Sequence, residues 1–428
     1  MTASELDAWE YELKGRGITP GLSAVAELAR ELGDPQEKVP VIHIAGTNAK
    51  GSVLAYISTV LKEAGYRTGR FFSPSLSEDR ESIQIGLKPV SKKDYAAGME
   101  RIKEADERIR ERGFRGVSFF EALTVLAYLS FAEKGCDLAV VECGMGGLAD
   151  ATNIVSAPLV TVITPVAADH QAFLGKSLKE IAGNKAGIIK PGAVCVTSCE
   201  QEPEVYAALA EKAESCGTEL IVADTPVRLK GGIRKQSFDL GERKGLKISL
   251  AGLHQSKNAA LAVKALDEAA KKGFVISDGA LRRGLEKTEW YGRFSVLKSR
   301  PYLIADGAHN PAGARSLAES LERYFPEEKF IFIIGVLKDK AYEEMLDIWC
   351  PLAEYIICIT PPENSRALQA MELAEEAAAR GVNVTTADSV EEGLEEALLL
   401  SGGQKHIIAC GSLSWLEKLR REVLKNGR

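Results

Sequence analysis

The sequence predicts an α/β fold in two domains, each a mostly parallel sheet covered by helices. Three observations predict it. Short apolar runs alternate with amphipathic helical stretches along the first part of the chain. A strand, a glycine-containing loop and a helix follow one another between Val39 and Gly65. The same rhythm restarts after residue 300, with five strand-like runs in the last third of the chain.

The first 38 residues read as helical and end in a charged loop at Gly33-Asp34-Pro35. Val39 to Ala45 is a short strand. After the loop comes a helix with Val53, Leu54, Ile57, Val60 and Leu61 on one face and a stop at Gly65. Arg67 to Phe72 is the next strand, and Lys92 to Arg112 a charged amphipathic helix. Ser118-Phe119-Phe120-Glu121 matches a capping box ahead of an apolar helix reaching Glu133. Strands are expected at Asp137–Glu142, Pro158–Thr164 and near Val194, with a helix around Leu178–Ile189. Strands between helices imply parallel pairing with both faces covered. The later runs are YLIAD (302–306), FIFIIGV (330–336), YIICIT (355–360), VNVTTA (382–387) and HIIACGS (406–412). The expected boundary lies near 295–300, where Gly292-Arg293 precedes the polar Lys298-Ser299-Arg300-Pro301, giving domains 1–296 and 297–428.

Composition narrows the class. The chain has 428 residues, 45% apolar and 27% charged, as in ordinary globular proteins. A net charge of −6 gives no reason to expect nucleic acid or an anionic membrane as partner. The eight cysteines form no CxxC pair and read as small buried hydrophobes in a reducing compartment. The first residues carry charges and no apolar run, and no stretch approaches the length of a membrane span, so a cytoplasmic enzyme is expected.

Five features could carry chemistry. The loop Gly46-Thr47-Asn48-Ala49-Lys50-Gly51-Ser52 joins strand to helix, where backbone N–H groups and a helix N-terminus suit phosphate. Lys50 would face the β- and γ-phosphates and Ser52 would help order Mg²⁺. The generic GxxxxGK[ST] pattern fails, because Gly51 follows the lysine; a plain strand-to-helix turn is the other reading. Glu142 ends an apolar strand before Gly144-Met145-Gly146-Gly147, at the strand end where α/β sheets bind ligands. A carboxylate there suits Mg²⁺, although a solvated strand-end glutamate is as reasonable. His170 also lies just past a strand, and His309 sits in Asp306-Gly307-Ala308-His309-Asn310-Pro311, where Asn310-Pro311 reads as a helix start. Lys185 stands between Gly183 and Gly187 in a helical stretch. Each glycine costs about 1 kcal/mol there, which suggests close approach by backbone or ligand.

Nine segments in order resemble the folylpolyglutamate synthases and bifunctional dihydrofolate synthase/folylpolyglutamate synthases of the Mur ligase superfamily: HIAGTNAKGSV (43–53), SPSL (73–76), SFFEALT (118–124), VVECGMGGLADATN (140–153), DHQAFLG (169–175), NKAGIIKPG (184–192), HQSKNAALA (254–262), WYGRF (290–294) and DGAHNP (306–311). The resemblance implies a P-loop-type ATPase domain followed by a smaller Rossmann-like domain, with the active site between them. It implies ATP contacts at Asn48, Ala49, Lys50, Gly51, Ser52, Asn258, Arg293 and Asp306, and Mg²⁺ ligands at Ser73, Glu142, His170 and a CO₂-carboxylated Lys185. It places Phe120, Glu121 and the loop Leu148 to Asp150 at the pterin, and His309 toward the incoming glutamate. Lys50, Lys185 and His309 become the catalytic candidates. The implied cofactors are two Mg²⁺, with ATP as substrate and room for a monovalent cation. The implied partners are a folate or dihydropteroate and L-glutamate, acting on a monomer. Three residues depart from the family pattern: Ala49 replaces a glycine, Ser75 a histidine and Gln171 a threonine.

The implied reaction is amide formation through an acyl phosphate. A cell-wall Mur ligase is the nearest rival, but only 45 residues precede Gly46, too few for the extra nucleotide-sugar domain of those enzymes. A P-loop small-molecule kinase and a nucleotide-dependent binding module are the others. The last of these needs neither Glu142, His170 nor Lys185.

Overall fold

The computed structural model describes residues 2–17 and 21–426. Residues 18–20, part of the stretch expected to be helical, lie outside the described residues. The chain divides into two compact units. Unit 1 comprises Met1–Pro226, Leu240–Arg243 and Lys257–Thr288; unit 2 comprises Val227–Asp239, Lys244–Ser256 and Glu289–Arg428.

Unit 1 is built on eight strands: β1 (Val41–Ala45), β2 (Thr68–Phe71), β3 (Ile83–Ile85), β4 (Lys88–Pro89), β5 (Leu138–Glu142), β6 (Val160–Ile163), β7 (Val194–Thr197) and β8 (Leu220–Val222). Their order is β4-β3-β2-β5-β1-β6-β7-β8. From β2 to β8 every pairing is parallel, and β3 and β4 add an antiparallel edge. That edge was not expected from the sequence: its strands are three and two residues long, too short to show a period.

The helices of this unit are α1 (Ala3–Gly15), α2 (Ser23–Glu31), α3 (Lys50–Glu63), α4 (Lys92–Glu111), α5 (Phe119–Glu133), α6 (Gln171–Leu174), α7 (Leu178–Ala186), α8 (Pro203–Ser215), α9 (Gln255–Lys271) and α10 (Asp278–Lys287). One core gathers Trp9, Leu28, Met99 and Leu126 from α1, α2, α4 and α5 over Val41, Phe71, Ala139 and Val141 of the sheet. Another packs α7 and α8 beside Ile163 and Cys195. Both faces are covered, as parallel pairing requires. The capping box forms as expected, with Ser118 and Glu121 bonded reciprocally at the start of α5.

Helix α3, which follows the loop 46–49, is buried at every residue from Gly51 to Leu61, so it is an internal helix rather than an amphipathic one. Gly284 of α10 makes this possible. A Cβ at Gly284 would lie 2.4 Å from the Cα of Val60, so α10 rests directly on the backbone of α3.

Unit 2 carries a six-stranded sheet. It follows the three-stranded antiparallel sheet of β9 (Val227–Gly232), β10 (Lys235–Leu240) and β11 (Arg243–Ile248). The six strands are β12 (Ser295–Ser299), β13 (Tyr302–Ala305), β14 (Phe330–Ile334), β15 (Ala353–Ile359), β16 (Asn383–Ala387) and β17 (Ile407–Cys410), in the order β12-β13-β17-β14-β15-β16. All pairs but β12 with β13 are parallel. Alternate residues face opposite cores. Phe330, Phe332, Ile334, Ile356 and Ile408 meet Leu317, Met345 and Trp349 on one side. Ile331, Ile333, Ile357, Ile359 and Ile407 meet Leu394, Trp415 and Leu416 on the other. The five parallel strands are those read from the sequence.

All eight cysteines are free, and six of them are buried. No described helix is long and apolar enough to cross a membrane.

Gly284→Ala is expected to lower the unfolding free energy by roughly 1–3 kcal/mol, the range for overpacking a tight contact. Urea unfolding should show a lower midpoint at unchanged slope. An unchanged midpoint would mean that α3 and α10 can separate at no cost.

Candidate active site

The site of unit 1 is assembled by strand order. β1 lies between β5 and β6, β5 lies next to β2, and all three pairings are parallel. Four neighbouring strands therefore end on one edge. The loop 46–52 follows β1, Ser73 follows β2, Glu142 is the last residue of β5, and His170 caps α6 after β6.

The loop is clamped against the segment after β6. Thr47 N and Asn48 N both donate to Pro165 O, at 3.0 and 3.2 Å. Thr47 Oγ1 donates to Ala167 O and accepts from Ala167 N, each at 3.0 Å. Gly46 has φ +148°, and a Cβ there would fall 1.9 Å from Thr164 Oγ1, so only glycine fits. Ala49 caps α3 with φ 69° and ψ −6°, in the left-handed region. The residue that departs from the family pattern thus holds the conformation that favours glycine, at a cost of roughly 1–2 kcal/mol.

Lys50 Nζ donates to Thr47 O at 3.3 Å and lies 3.8 Å from Glu142 Oε1. Lys185, near the end of α7, is buried and donates from Nζ to Gly46 O at 2.8 Å. Burial, and then the charge of Lys50, push its amine down to about 7. The two glycines beside Lys185 differ. A Cβ on Gly187 would meet the Cα of Leu148 at 2.4 Å, whereas one on Gly183 would meet nothing within 4 Å. Close approach therefore explains Gly187 alone. Here the loop 146–150 lies on the end of α7, with Leu148 N donating to Asn184 O at 2.8 Å.

Four residues were assigned to the pterin from the resemblance. Leu148 is 57% exposed. Phe120 packs on Phe71, ring centroids 5.8 Å apart, and its ring sits where a side chain on Gly144 would be. The Glu121 carboxylate accepts from Ser118 N at 2.7 Å and from both terminal nitrogens of Arg115, at 2.6 and 2.8 Å. The Asp150 carboxylate accepts from Met145 N at 2.8 Å, and from Thr152 N and Oγ1 at 3.0 and 2.5 Å. Both carboxylates are thus engaged in shaping their own loops. Burial pushes the Asp150 carboxyl up, while these hydrogen bonds pull it down. Thr152 continues the network to His43 Nε2 at 2.8 Å, at the centre of β1. Burial drives the His43 ring down to about 3, so it is neutral.

In unit 1, Asn258 lies buried in the first turn of α9. In unit 2, both oxygens of Asp306 accept backbone N–H groups: Phe294 N at 2.7 Å and Ala308 N at 2.8 Å. His309 Nδ1 donates to Gly307 O at 2.7 Å, which makes Nε2 the acceptor nitrogen of the neutral ring. Asn310 caps α11 (Pro311–Tyr324) through Gly313 N, the helix start read from the sequence. Arg293 Nε is a buried donor with no partner among the described residues.

Within unit 1, then, the structure brings Asn48–Ser52, Ser73, Glu142, His170 and Lys185 to one edge. Sequence reasoning named Thr47 only as part of the loop and missed Thr164 and Gln201; the three knit the loop to the segment after β6. Their spacing carries no signal, because they meet only once β1 and β6 pair. No cluster of three or more His, Cys, Asp or Glu side chains suited to a metal occurs among the described residues.

Two outcomes follow from this geometry. Ala49→Gly removes the steric cost of left-handed backbone but adds chain entropy in the unfolded state. It should change stability by no more than about 1 kcal/mol, toward the stable side, in urea titrations; a clear loss would mean that the Ala49 methyl packs usefully. For His43, the unfolded ring takes up a proton below 6.5 that the native ring refuses until about 3. Stability should therefore fall as pH drops through that window. Between pH 7 and 5, His43→Gln should lose about 2 kcal/mol less than the parent. Equal losses would show that the buried ring titrates normally.

Known proteins resemble this chain over nearly its whole length. Residues 44–266 match the Mur ligase middle domain and residues 292–413 the Mur ligase glutamate ligase domain. The chain is 33% identical over 426 residues to the dihydrofolate synthase/folylpolyglutamate synthase of Bacillus subtilis, covering 97% of this chain and 98% of that one. The solved Mycobacterium tuberculosis folylpolyglutamate synthase complexed with ADP superposes with a TM-score of 0.91 at 32% identity, over 98% of each chain. Escherichia coli FolC in complex with DHPP and ADP gives a TM-score of 0.86 at 27% identity, over 99% of this chain and 98% of that one. This chain belongs to the dihydrofolate synthase/folylpolyglutamate synthase family of Mur ligases.

Proposed function

We infer that this chain is an ATP-dependent amide ligase that adds L-glutamate to the carboxylate of a folate, and also to dihydropteroate. The observation that carries the reading is the convergence of the loop 46–52, Glu142 and the buried Lys185 at one edge of parallel strands. The γ-phosphoryl group of ATP passes to the acceptor carboxylate, giving an acyl phosphate and ADP. The glutamate amine attacks the acyl carbon, and the tetrahedral intermediate collapses to amide and phosphate. Two anions must meet in the first step, so positive charge has to be supplied. Lys50 and the N-terminus of α3 supply it at the phosphates, joined by Asn48, Ala49, Gly51, Ser52 and Asn258. In unit 2, Arg293 and Asp306 are assigned to ATP, and the unpartnered buried Nε of Arg293 supports a ligand there. His309 is assigned to glutamate. Its Nε2 can take the proton that the ammonium group must lose before it attacks.

The donors Ser73, Glu142, His170 and a carboxylated Lys185 fit Mg²⁺, because so few protein ligands leave positions for water and phosphate oxygens. When bound, the metal neutralises phosphate charge. Lys185 suits the modification. Its amine, lowered to about 7, is substantially neutral near neutral pH, and only the neutral amine attacks CO₂. One N–C bond forms as a C=O π bond of CO₂ opens, one proton leaves the nitrogen, and the neutral amine becomes an anionic carbamate; from the ammonium form, two protons leave in all. Phe120, Glu121, Leu148 and Asp150 are assigned to the pterin side, the two carboxylates by shaping loops. A cytoplasmic monomer divided at 296/297 completes the reading.

The test supplies ATP, Mg²⁺ and L-glutamate with either dihydropteroate or tetrahydrofolate and follows product mass. Each acceptor should gain one glutamyl unit; ATP turnover on some other acid, with neither acceptor extended, would remove the folate assignment. Lys185→Ala should cut turnover by about 10²-fold or more, as loss of a metal-site group does. Unaffected turnover would remove the carboxylated lysine.

A further inference from the structure

We propose that Thr164 is the positioning residue of the phosphate loop: it sets the Asn48–Ala49 peptide and so holds Ala49 in its left-handed conformation. This rests on the reading that residues 46–52 grip a nucleotide.

A threonine hydroxyl has one proton to give. Thr164 Oγ1 lies 2.6 Å from Asn48 O and 3.3 Å from Ala45 O, so the proton goes to Asn48 O. In a trans peptide the C=O and the following N–H point in opposite directions. Fixing Asn48 C=O on Thr164 therefore turns Ala49 N–H away from the sheet and toward the open side of the loop. The preceding peptides are fixed by Pro165 O, which takes Thr47 N and Asn48 N. The clamp is itself braced. Gln201 Nε2 donates to Thr164 O at 2.9 Å, and Gln201 Oε1 accepts from Val166 N at 3.0 Å. Gly46 lies so close to Thr164 that the loop cannot slide along it.

A left-handed alanine persists only where its surroundings over-determine it. A glycine at 49 would hold that conformation without help. Alanine makes the loop depend on the one hydroxyl that fixes the peptide before it. Thr164 thus acts through the loop and not on the substrate.

The experiment is a double-mutant cycle of Thr164→Val and Ala49→Gly, with Thr164→Ser as the conservative variant. It reads the Kd of a fluorescent ADP analogue, KM for each substrate, kcat and urea stability. Thr164→Val should weaken nucleotide binding by about 5- to 20-fold, the range for one lost hydrogen bond, and raise KM for ATP in parallel. KM for the acceptor and for glutamate should not move. Thr164→Ser should restore binding to within about twofold, since it keeps the donor. Ala49→Gly should recover much of the loss in the Thr164→Val background, so the two effects are not additive. Binding by Thr164→Val within twofold of the parent, strict additivity, or a Thr164→Ser as weak as the valine variant would each overturn the proposal. If Thr164→Val does not fold, Thr164→Ala takes its place in the cycle. A parent protein that binds no nucleotide would refute the phosphate-loop reading instead.

Discussion

Parallel pairing of β1 between β5 and β6 is the constraint on which the site depends. Parallel strands all end on the same edge, so whatever follows them is gathered there. The residues concerned are far apart in sequence: Ser73, Glu142 and His170 come from three separate segments. The same pairing lays the segment 164–167 under the loop 46–48 and supplies the carbonyls and hydroxyl that shape it. Helix α3 is held by burial on every side rather than by an amphipathic face.

Electrostatics explain why this edge is tense. Lys185 is buried, and its burial and then the nearby charge of Lys50 disfavour its ammonium form. Glu142 stands near Lys50, and Gly46 O receives the Lys185 amine.

Buried carboxylates play a second part. Asp150 and Glu121 are turned inward onto backbone N–H groups and, for Glu121, onto Arg115. They stiffen the loop 143–150 and the start of α5. Motif resemblance places such residues beside a substrate without saying whether their oxygens face it. The hydrogen bonds here put those oxygens to work inside the protein. In unit 2, Asp306 does the same for the turns at 294 and 308.

The sequence by itself determined the parallel α/β architecture, because strands buried on both faces must be apolar throughout and leave long readable runs. It also determined the capping box at Ser118, the helix start at Asn310 and the unusual loop with alanine at 49, since caps and loops are local chemistry. It could not show β3 and β4, which are too short to carry a period. It could not tell Gly187, pressed on Leu148, from Gly183, where an added Cβ would meet no described neighbour within 4 Å. It left open whether Ala49 needed left-handed backbone. Only the tertiary structure decided that, and it did so through Thr164, Pro165 and Gln201, residues more than a hundred positions away. Hydrogen bonds between distant segments leave no spacing in a sequence, so they become visible only when the strands that carry them are paired.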